Sequence, residues 1–272
     1  MHSDAYFTIG KAHRVCQDYA RAGTLPDGNA YAILSDGCSS SPDTDFGSRL
    51  LTLAAESSLR KADALTWREL IQRAEAQVVS PLPQECLDAT LLMAVAGPDG
   101  VGVKVAGDGL VVALRRDGSV EVFDIDFQGA PGYLSYILNP ARWDNYTRLG
   151  YGTRTVTRTH GVFQPTGFVL TNNETTLEPT DLSTLVWGEQ FLKADYAAVF
   201  IFSDGAKSFQ RETKLGFETI PVLEVLPNLV NIKSATGSFV IRRCQNFKSK
   251  HCRDNKWHHD DDLAVASIWM DD

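Results

Sequence analysis

Two apolar runs in this chain stop at the same three residues. Tyr31-Ala32-Ile33-Leu34 runs into Ser35-Asp36-Gly37, and Phe200-Ile201-Phe202 runs into Ser203-Asp204-Gly205. Runs of this length and composition read as buried strands. Asp is a poor strand residue, so a carboxylate at the end of such a strand needs a reason. Turn chemistry supplies one for either junction taken alone. Two strands ending in the same acid-glycine pair suggest that both deliver an acid to one place.

Two more acidic stretches fit that pattern. Gln17-Asp18 lies early in the chain, and His259-Asp260-Asp261-Asp262 precedes the apolar run LAVASIWM. Hard divalent cations such as Mg²⁺ and Mn²⁺ prefer oxygen ligands, with water completing an octahedron. Two such ions about 3.5–4 Å apart can share a bridging water, lower its pKa and aim it at phosphorus. A site of that kind needs several carboxylates from separate elements and no Cys or His ligand. A glycine after an Asp lets the backbone approach the ion.

The remaining pattern is α+β. Residues 5–10 read as an edge strand and 29–35 as a buried one. Asp45 is placed to cap a helix over 47–65 with an apolar stripe of Leu50, Leu51, Ala54, Ala55 and Leu59. A second helix over 66–79 opens with Thr66 and, three residues on, Glu69, a capping box. Residues 88–124 read as successive short strands, with turn signals at Pro98-Asp99-Gly100 and Asp117-Gly118. Gly107-Asp108-Gly109, between two apolar runs, reads as a hairpin turn. Segments 150–158, 166–171 and 196–203 supply further strands; 125–148 and 210–237 carry no clear period. Paired helices followed by many antiparallel-type strands argue against alternating βαβ units. With no repeat, low-complexity tract or linker, one domain over 1–272 is expected.

Composition narrows the function classes. The chain has 272 residues, 43% of them apolar, enough for a sizeable core. Its net charge of −8 argues against a general nucleic-acid binder. No run reaches the roughly 18 apolar residues of a membrane span, and the first residues lack a basic and an apolar region of a secretory leader. Five cysteines without a CxxC pair suit reduced thiols. A cytoplasmic monomer that binds neither nucleic acid nor membrane is the expectation.

The motifs, in order, carry a resemblance. HRVCQDYA (13–20) resembles a first motif ending in an acid pair or an amide-Asp. AILSDGCSS resembles an "ADG" motif, and DATLLMAVAG followed by VAGDGLVVAL resembles the strand pair bearing "GDS". FIFSDGAKSF resembles a later "SDG", and HDDDLAVASI a terminal "DN" or "DD" plus strand. Over essentially the whole chain this order is similar to the PPM family, the metal-dependent PP2C-type protein phosphatases. The His and Cys-Gln-Asp of the first motif look like a bacterial subgroup. The resemblance implies a four-layer α/β/β/α sandwich, two antiparallel sheets flanked by helix pairs, with a metal site at one end. It implies Mn²⁺ or Mg²⁺, two ions and a possible third. By position, Asp18 would bind one ion, Asp36 would bridge both, and Gly37 would offer its carbonyl. Asp204 and Asp261 would complete the pair. Asp261 is preferred to its neighbours because Asp262 then takes the Asn/Asp place and Leu263 starts the strand. Asp108 falls where a third, weaker ion would sit; a turn carboxylate is the alternative. The implied activity is hydrolysis of phosphoserine and phosphothreonine in proteins, a kinase or its targets among them; no covalent phosphoenzyme is expected, because the cysteines lack the phosphate-loop context of thiol phosphatases.

The chain departs from that family at one place. Many members carry an arginine five residues before the first metal Asp, as a phosphate contact. Here the position holds His13, with Arg14 next. His13 could contact phosphate or act as general acid, or be a polar strand-end residue. Arg14 could offer a bidentate fork, although strand alternation would turn it away from His13. The departure keeps two other readings open: a catalytically weak or inactive PP2C-like module that binds a phosphoprotein or kinase, and a hydrolase of small phosphoesters. Residues 210–237 would form a variable flap that bears on substrate choice. Cys244, His251, Cys252, His258 and His259 lack zinc-site spacing. Cys16 and Cys38 adjoin the proposed metal motifs and read as packing residues. The basic stretch 241–256 is either a solvated face or a patch that steers an acidic partner.

Overall fold

The structure is a computed structural model that describes residues 1–63, 66–164 and 167–271. The end of the first expected helix, at 64 and 65, and the first residue of the strand expected over 166–171 lie outside the described residues. Among the described residues fifteen strands form three sheets, and every strand pair is antiparallel.

A five-stranded sheet holds β2 (Tyr19–Thr24), β3 (Ala30–Ser35), β4 (Leu91–Ala96), β5 (Gly100–Ala106) and β10 (Val186–Leu192), in the order β10-β5-β4-β3-β2. A seven-stranded sheet holds β1 (His2–Thr8), β6 (Gly109–Arg115), β7 (Val120–Phe127), β8 (Thr153–Gln164), β9 (Gly167–Pro179), β11 (Tyr196–Phe202) and β15 (Leu263–Trp269), in the order β1-β15-β11-β6-β7-β8-β9. The two sheets pack face to face over a shared core. On β11, Val199 and Ile201 point into that core, while Phe200 and Phe202 point to the opposite face. The period of two sends alternate residues to opposite faces, and a strand apolar at every position must be covered on both.

Helices supply the cover. α1 (Thr44–Arg60), α2 (Trp67–Glu75) and α3 (Pro140–Arg148) share a core with the outer face of the five-stranded sheet. α4 (Val222–Val230) and α5 (Phe239–Asn246) share one with the outer face of the seven-stranded sheet. The result is the four-layer α/β/β/α sandwich. A small third sheet of β12 (Phe209–Thr213), β13 (Gly216–Thr219) and β14 (Trp257–His259) lies beside it.

Three local expectations meet the structure differently. The capping box at Thr66 and Glu69 is present in both of its hydrogen bonds. Asp45 is not the cap of α1: the helix begins at Thr44 after Asp43, and Asp45 lies inside the first turn, 3.4 Å from Arg49. Gly107-Asp108-Gly109 is not a hairpin turn. β5 pairs with β4 and β10, β6 with β7 and β11, so this tripeptide carries the chain from one sheet to the other. Gly107 and Gly109 adopt φ of +89° and +140° to make that crossing, which only glycine does without strain.

Candidate metal and phosphate site

One rim of the sandwich collects the acids. Asp18 precedes β2 and Asp36 follows β3, and Tyr19 is paired with Ser35 in the ladder, so these strands bring the two acids side by side. The Gly37 amide donates to the Gln17 carbonyl at 3.2 Å, which extends the contact past the ladder. Asp204 follows β11 and Asp261 precedes β15, the neighbouring strands of the other sheet. The Ser203 amide donates to the Ala264 carbonyl at 3.1 Å there.

Glycines let these elements touch. A Cβ on Gly205 would fall 1.7 Å from the Asp262 carbonyl oxygen, and one on Gly37 would fall 2.7 Å from the Thr44 carbonyl oxygen. The glycine of each Ser-Asp-Gly junction is therefore a close-approach residue: one seats the β11 exit on the last acid motif, the other seats the β3 exit on the first turn of α1. Thr44 Oγ1 in turn donates to the Cys38 carbonyl at 3.1 Å and accepts from Gln17 Nε2 at 2.8 Å.

Asp36, Gly37, Asp108, Asp204 and Asp261 line a cleft of about 550 Å³. Asp18 is fully buried behind it, with Oδ2 accepting from Ser203 Oγ at 2.7 Å. Asp18 Oδ1 and Asp204 Oδ1 are buried and have no hydrogen-bond partner among the described residues. Burial pushes the Asp18 carboxyl well above its ordinary range; the Ser203 bond pulls it back, and the Asp262 and Asp204 charges add to the rise. Burial also raises Asp36 far above its ordinary range, helped by the charges of Asp18 and Asp204. Asp108 is pushed up to about 7 by burial and the Asp204 charge, with Lys207 opposing. Carboxylates pressed together like this resist ionising together unless a cation joins them.

Asp262 has a different surrounding from Asp261. It is buried and accepts from the Gly10 amide at 2.7 Å and the Gln17 amide at 2.6 Å. Asp261 is half-buried, faces the cleft, and accepts from the Asp262 amide at 2.8 Å through Oδ1. Its carboxyl is raised, first by burial and then by the Asp204 charge.

His13 and Arg14 do not line the cleft. His13 Nδ1 lies 2.9 Å from Asp262 Oδ2, a charge contact without hydrogen-bond alignment, and Nε2 lies 3.4 Å from Asp261 Oδ1. Burial lowers the His13 pKa, but the Asp262 contact and the Asp261 and Asp204 charges outweigh it and raise it. The Asp262 and Asp261 carboxylates thus favour the protonated form of the ring. Arg14 is exposed.

Sequence reasoning missed Lys207. Among the described residues lining the cleft it is the only cation. Its Nζ lies 2.8 Å from Asp124 Oδ1 and 3.4 Å from Asp126 Oδ2. Burial would lower its pKa, but the Asp124 charge prevails and raises it. The signal was a lysine three residues past Asp204, and only β7 shows which acids it meets. Asp88 was missed as well. It accepts from Ser41 at 2.8 Å, Ser135 at 2.6 Å and Arg142 at 2.6 Å, tying the loop on the cleft rim to α3.

Could this rim hold divalent ions? Among the described residues, no three His, Cys, Asp or Glu side chains converge into a ready-made cage. The donor chemistry nonetheless fits hard cations. Every candidate is an oxygen, two buried carboxylate oxygens lack partners, and such ions keep several waters in place of protein ligands.

The two packed antiparallel sheets and their helical covers define an α/β/β/α sandwich with an acidic rim. The sequence profile of the protein phosphatase 2C family matches residues 10–231, and the chain belongs to that family. The match ends before Asp261, which β15 brings to the rim. The fold is similar to that of the serine/threonine phosphatase Stp1 from Staphylococcus aureus (12% identity, TM-score 0.57, 100% of this chain and 96% of that one). It is also similar to the Mycobacterium tuberculosis serine/threonine phosphatase PstP/Ppp (12%, 0.53, 99% and 98%) and to a bacterial serine phosphatase (13%, 0.55, 100% and 98%). At these identities the likeness carries the fold alone. No curated protein sequence matches the chain. Among the described residues, no helix is long and apolar enough to cross a membrane.

Proposed function

We propose that this protein is a Mn²⁺- or Mg²⁺-dependent phosphatase of phosphoserine and phosphothreonine in proteins. The observation that supports it most is that four separate strand ends bring Asp18, Asp36, Asp204 and Asp261 to one rim, with Asp18 Oδ1 and Asp204 Oδ1 buried and, among the described residues, unpartnered. Asp18, Asp36, Asp204 and Asp261, with the Gly37 carbonyl, would hold two ions, and Asp108 a third. When bound, the ions would supply charge neutralisation for phosphoryl oxygens and an acidified water.

The chain's own groups would do the rest. Ser203 orients Asp18, and Gln17 and Gly10 fix Asp262 so that Asp261 alone turns to the cleft. Lys207 offers the cleft a positive side chain that can attract a phosphate. His13, with Nε2 3.4 Å from Asp261 Oδ1, is placed to stabilise that carboxylate when protonated, and in that form it would have a proton to give to a departing alkoxide. The β12–β13 hairpin leaves the site beyond Ser208 and exposes Leu215 and Phe217, so it is the segment that would meet a protein substrate.

The reading of a binding module with weak or no turnover draws on one observation: among the described residues no arginine lines the cleft, and Lys207 is already paired with two carboxylates. One experiment separates the two. Hydrolysis of p-nitrophenyl phosphate and a phosphothreonine peptide is followed with EDTA, Mg²⁺ or Mn²⁺, beside an Asp36→Ala control. Metal-dependent turnover that the control loses supports the phosphatase. A folded protein that binds Mn²⁺ and turns over neither substrate supports the module.

A further inference from the structure

A cavity larger than the acidic cleft lies elsewhere in the fold. It measures about 710 Å³ and lies between β9, α4 and the helical segment that continues α5. A second cavity of about 270 Å³ adjoins it and shares Asn228, Arg243, His251 and Asn255 with it. None of these four residues belongs to the acidic cleft.

Arg243 is the unusual member. Among the described residues it has no carboxylate partner. Among the described residues its Nε is buried without a hydrogen bond, and its guanidinium makes one long hydrogen bond, 3.4 Å, from Nη2 to the Pro227 carbonyl. The two nearby acids are committed elsewhere: Glu224 contacts Arg211 at 3.4 Å, and Asp254 contacts Arg253 at 3.0 Å. His251 repeats the pattern. Its Nε2 is buried without a partner among the described residues, and its ring is fixed by stacking on Phe247 at 5.4 Å and by the edge of Trp257 at 4.7 Å. Elsewhere in the basic stretch, Arg242 donates to backbone carbonyls of Ser234 and Thr236 and Lys248 to Thr8, while Lys250 lines the smaller cavity.

A half-buried cation left unpaired costs free energy, and a pocket of this size with a few convergent donors and some apolar lining has the form of a small-molecule site. The apolar walls here are Phe168, Leu170, Leu223 and Pro227, with Trp257 at one end. We propose that this cavity binds a small organic anion, a carboxylate or phosphonate-type head on an aromatic or aliphatic body. Arg243 and His251 receive the head, and the apolar walls receive the body. The site stands independently of the proposed chemistry at the acidic cleft.

The test is titration of the full-length protein, in EDTA, with two probes: 2-naphthoate and phenylphosphonate. Binding is followed by calorimetry, with neutral 2-naphthamide as the uncharged comparison. Saturable one-to-one binding of at least one anion is expected, about tenfold tighter than the amide. Arg243→Met should weaken it about tenfold, and His251→Phe, which keeps the ring stack and removes the donor, several-fold. Both variants should keep the thermal stability and p-nitrophenyl phosphate turnover of the parent. No saturable binding of either anion would overturn the proposal. So would equal affinity for anion and amide, or undiminished binding in both variants. Should Arg243→Met fail to fold, His251→Phe and the amide comparison decide the matter.

Discussion

Ser203 Oγ joins the two sheets at the acidic rim. It donates to Asp18 Oδ2 at 2.7 Å, 185 residues away in sequence, and accepts from the Ala264 amide at 2.9 Å. Asp18 belongs to the five-stranded side and Ala264 to β15 of the seven-stranded side. One buried hydroxyl therefore sets the spacing between acids delivered by different layers. Replacing it with Ala leaves a buried carboxylate oxygen and a buried amide unsatisfied. Ser203→Ala should destabilise the protein by about 1–3 kcal/mol, read by urea unfolding at neutral pH. It should also weaken Mn²⁺ binding in calorimetry. Unchanged stability would mean that water replaces the hydroxyl at no cost.

Asp36→Asn should separate stability from function. The folded-state pKa of Asp36 is raised, so its charge costs stability as pH rises above the ordinary value of 3.8. The metal-free variant should melt about 2–4 °C above the parent near pH 7.5, and the gain should vanish as pH falls towards 4. With Mn²⁺ the order should reverse, because the variant loses a ligand. Melting curves in EDTA and in Mn²⁺ across that range test both halves.

Glu121 has the opposite sign. Burial raises its pKa, but bonds from Arg158, Arg115 and Tyr196 outweigh burial and lower it. The contribution is present above the ordinary value of 4.5 and is lost as pH falls through the depressed folded value. Glu121→Gln should cost about 1–3 kcal/mol at pH 7 and progressively less in acid. Chemical denaturation at a series of pH values reads the difference, and a pH-independent gap would contradict the assignment.

Lys207→Met removes the cation from the cleft. The KM for a phosphothreonine peptide should rise about tenfold or more, as expected for loss of one charge-assisted hydrogen bond. Turnover at saturation should change less. A fall in kcat at constant KM would instead place Lys207 in the chemical step.

Much of the rim was legible in the amino-acid sequence. Strand runs ending in Ser-Asp-Gly are local statements about hydrophobicity and turn chemistry, and the chain obeys them at Asp36 and Asp204. The capping box at Thr66 is equally local, because its two bonds span three residues. The order of acid motifs carried the family resemblance, and with it the sandwich.

Partner choice was not legible. Gly107-Asp108-Gly109 has the composition of a hairpin turn, yet β6 joins the other sheet, because its two apolar faces need cover from different layers. Asp261 and Asp262 are neighbours of the same type. What separates them is that the Gly10 and Gln17 amides, 252 and 245 residues from Asp262 in sequence, claim it and leave Asp261 facing the cleft. His13 and Arg14 held the positions of interest, and Lys207 reached the cleft instead. Sequence determined which acids stand at strand ends, since that depends on neighbours along the chain. The tertiary structure alone decided which oxygens stay unpaired and which cation meets them, since burial and charge depend on neighbours in space.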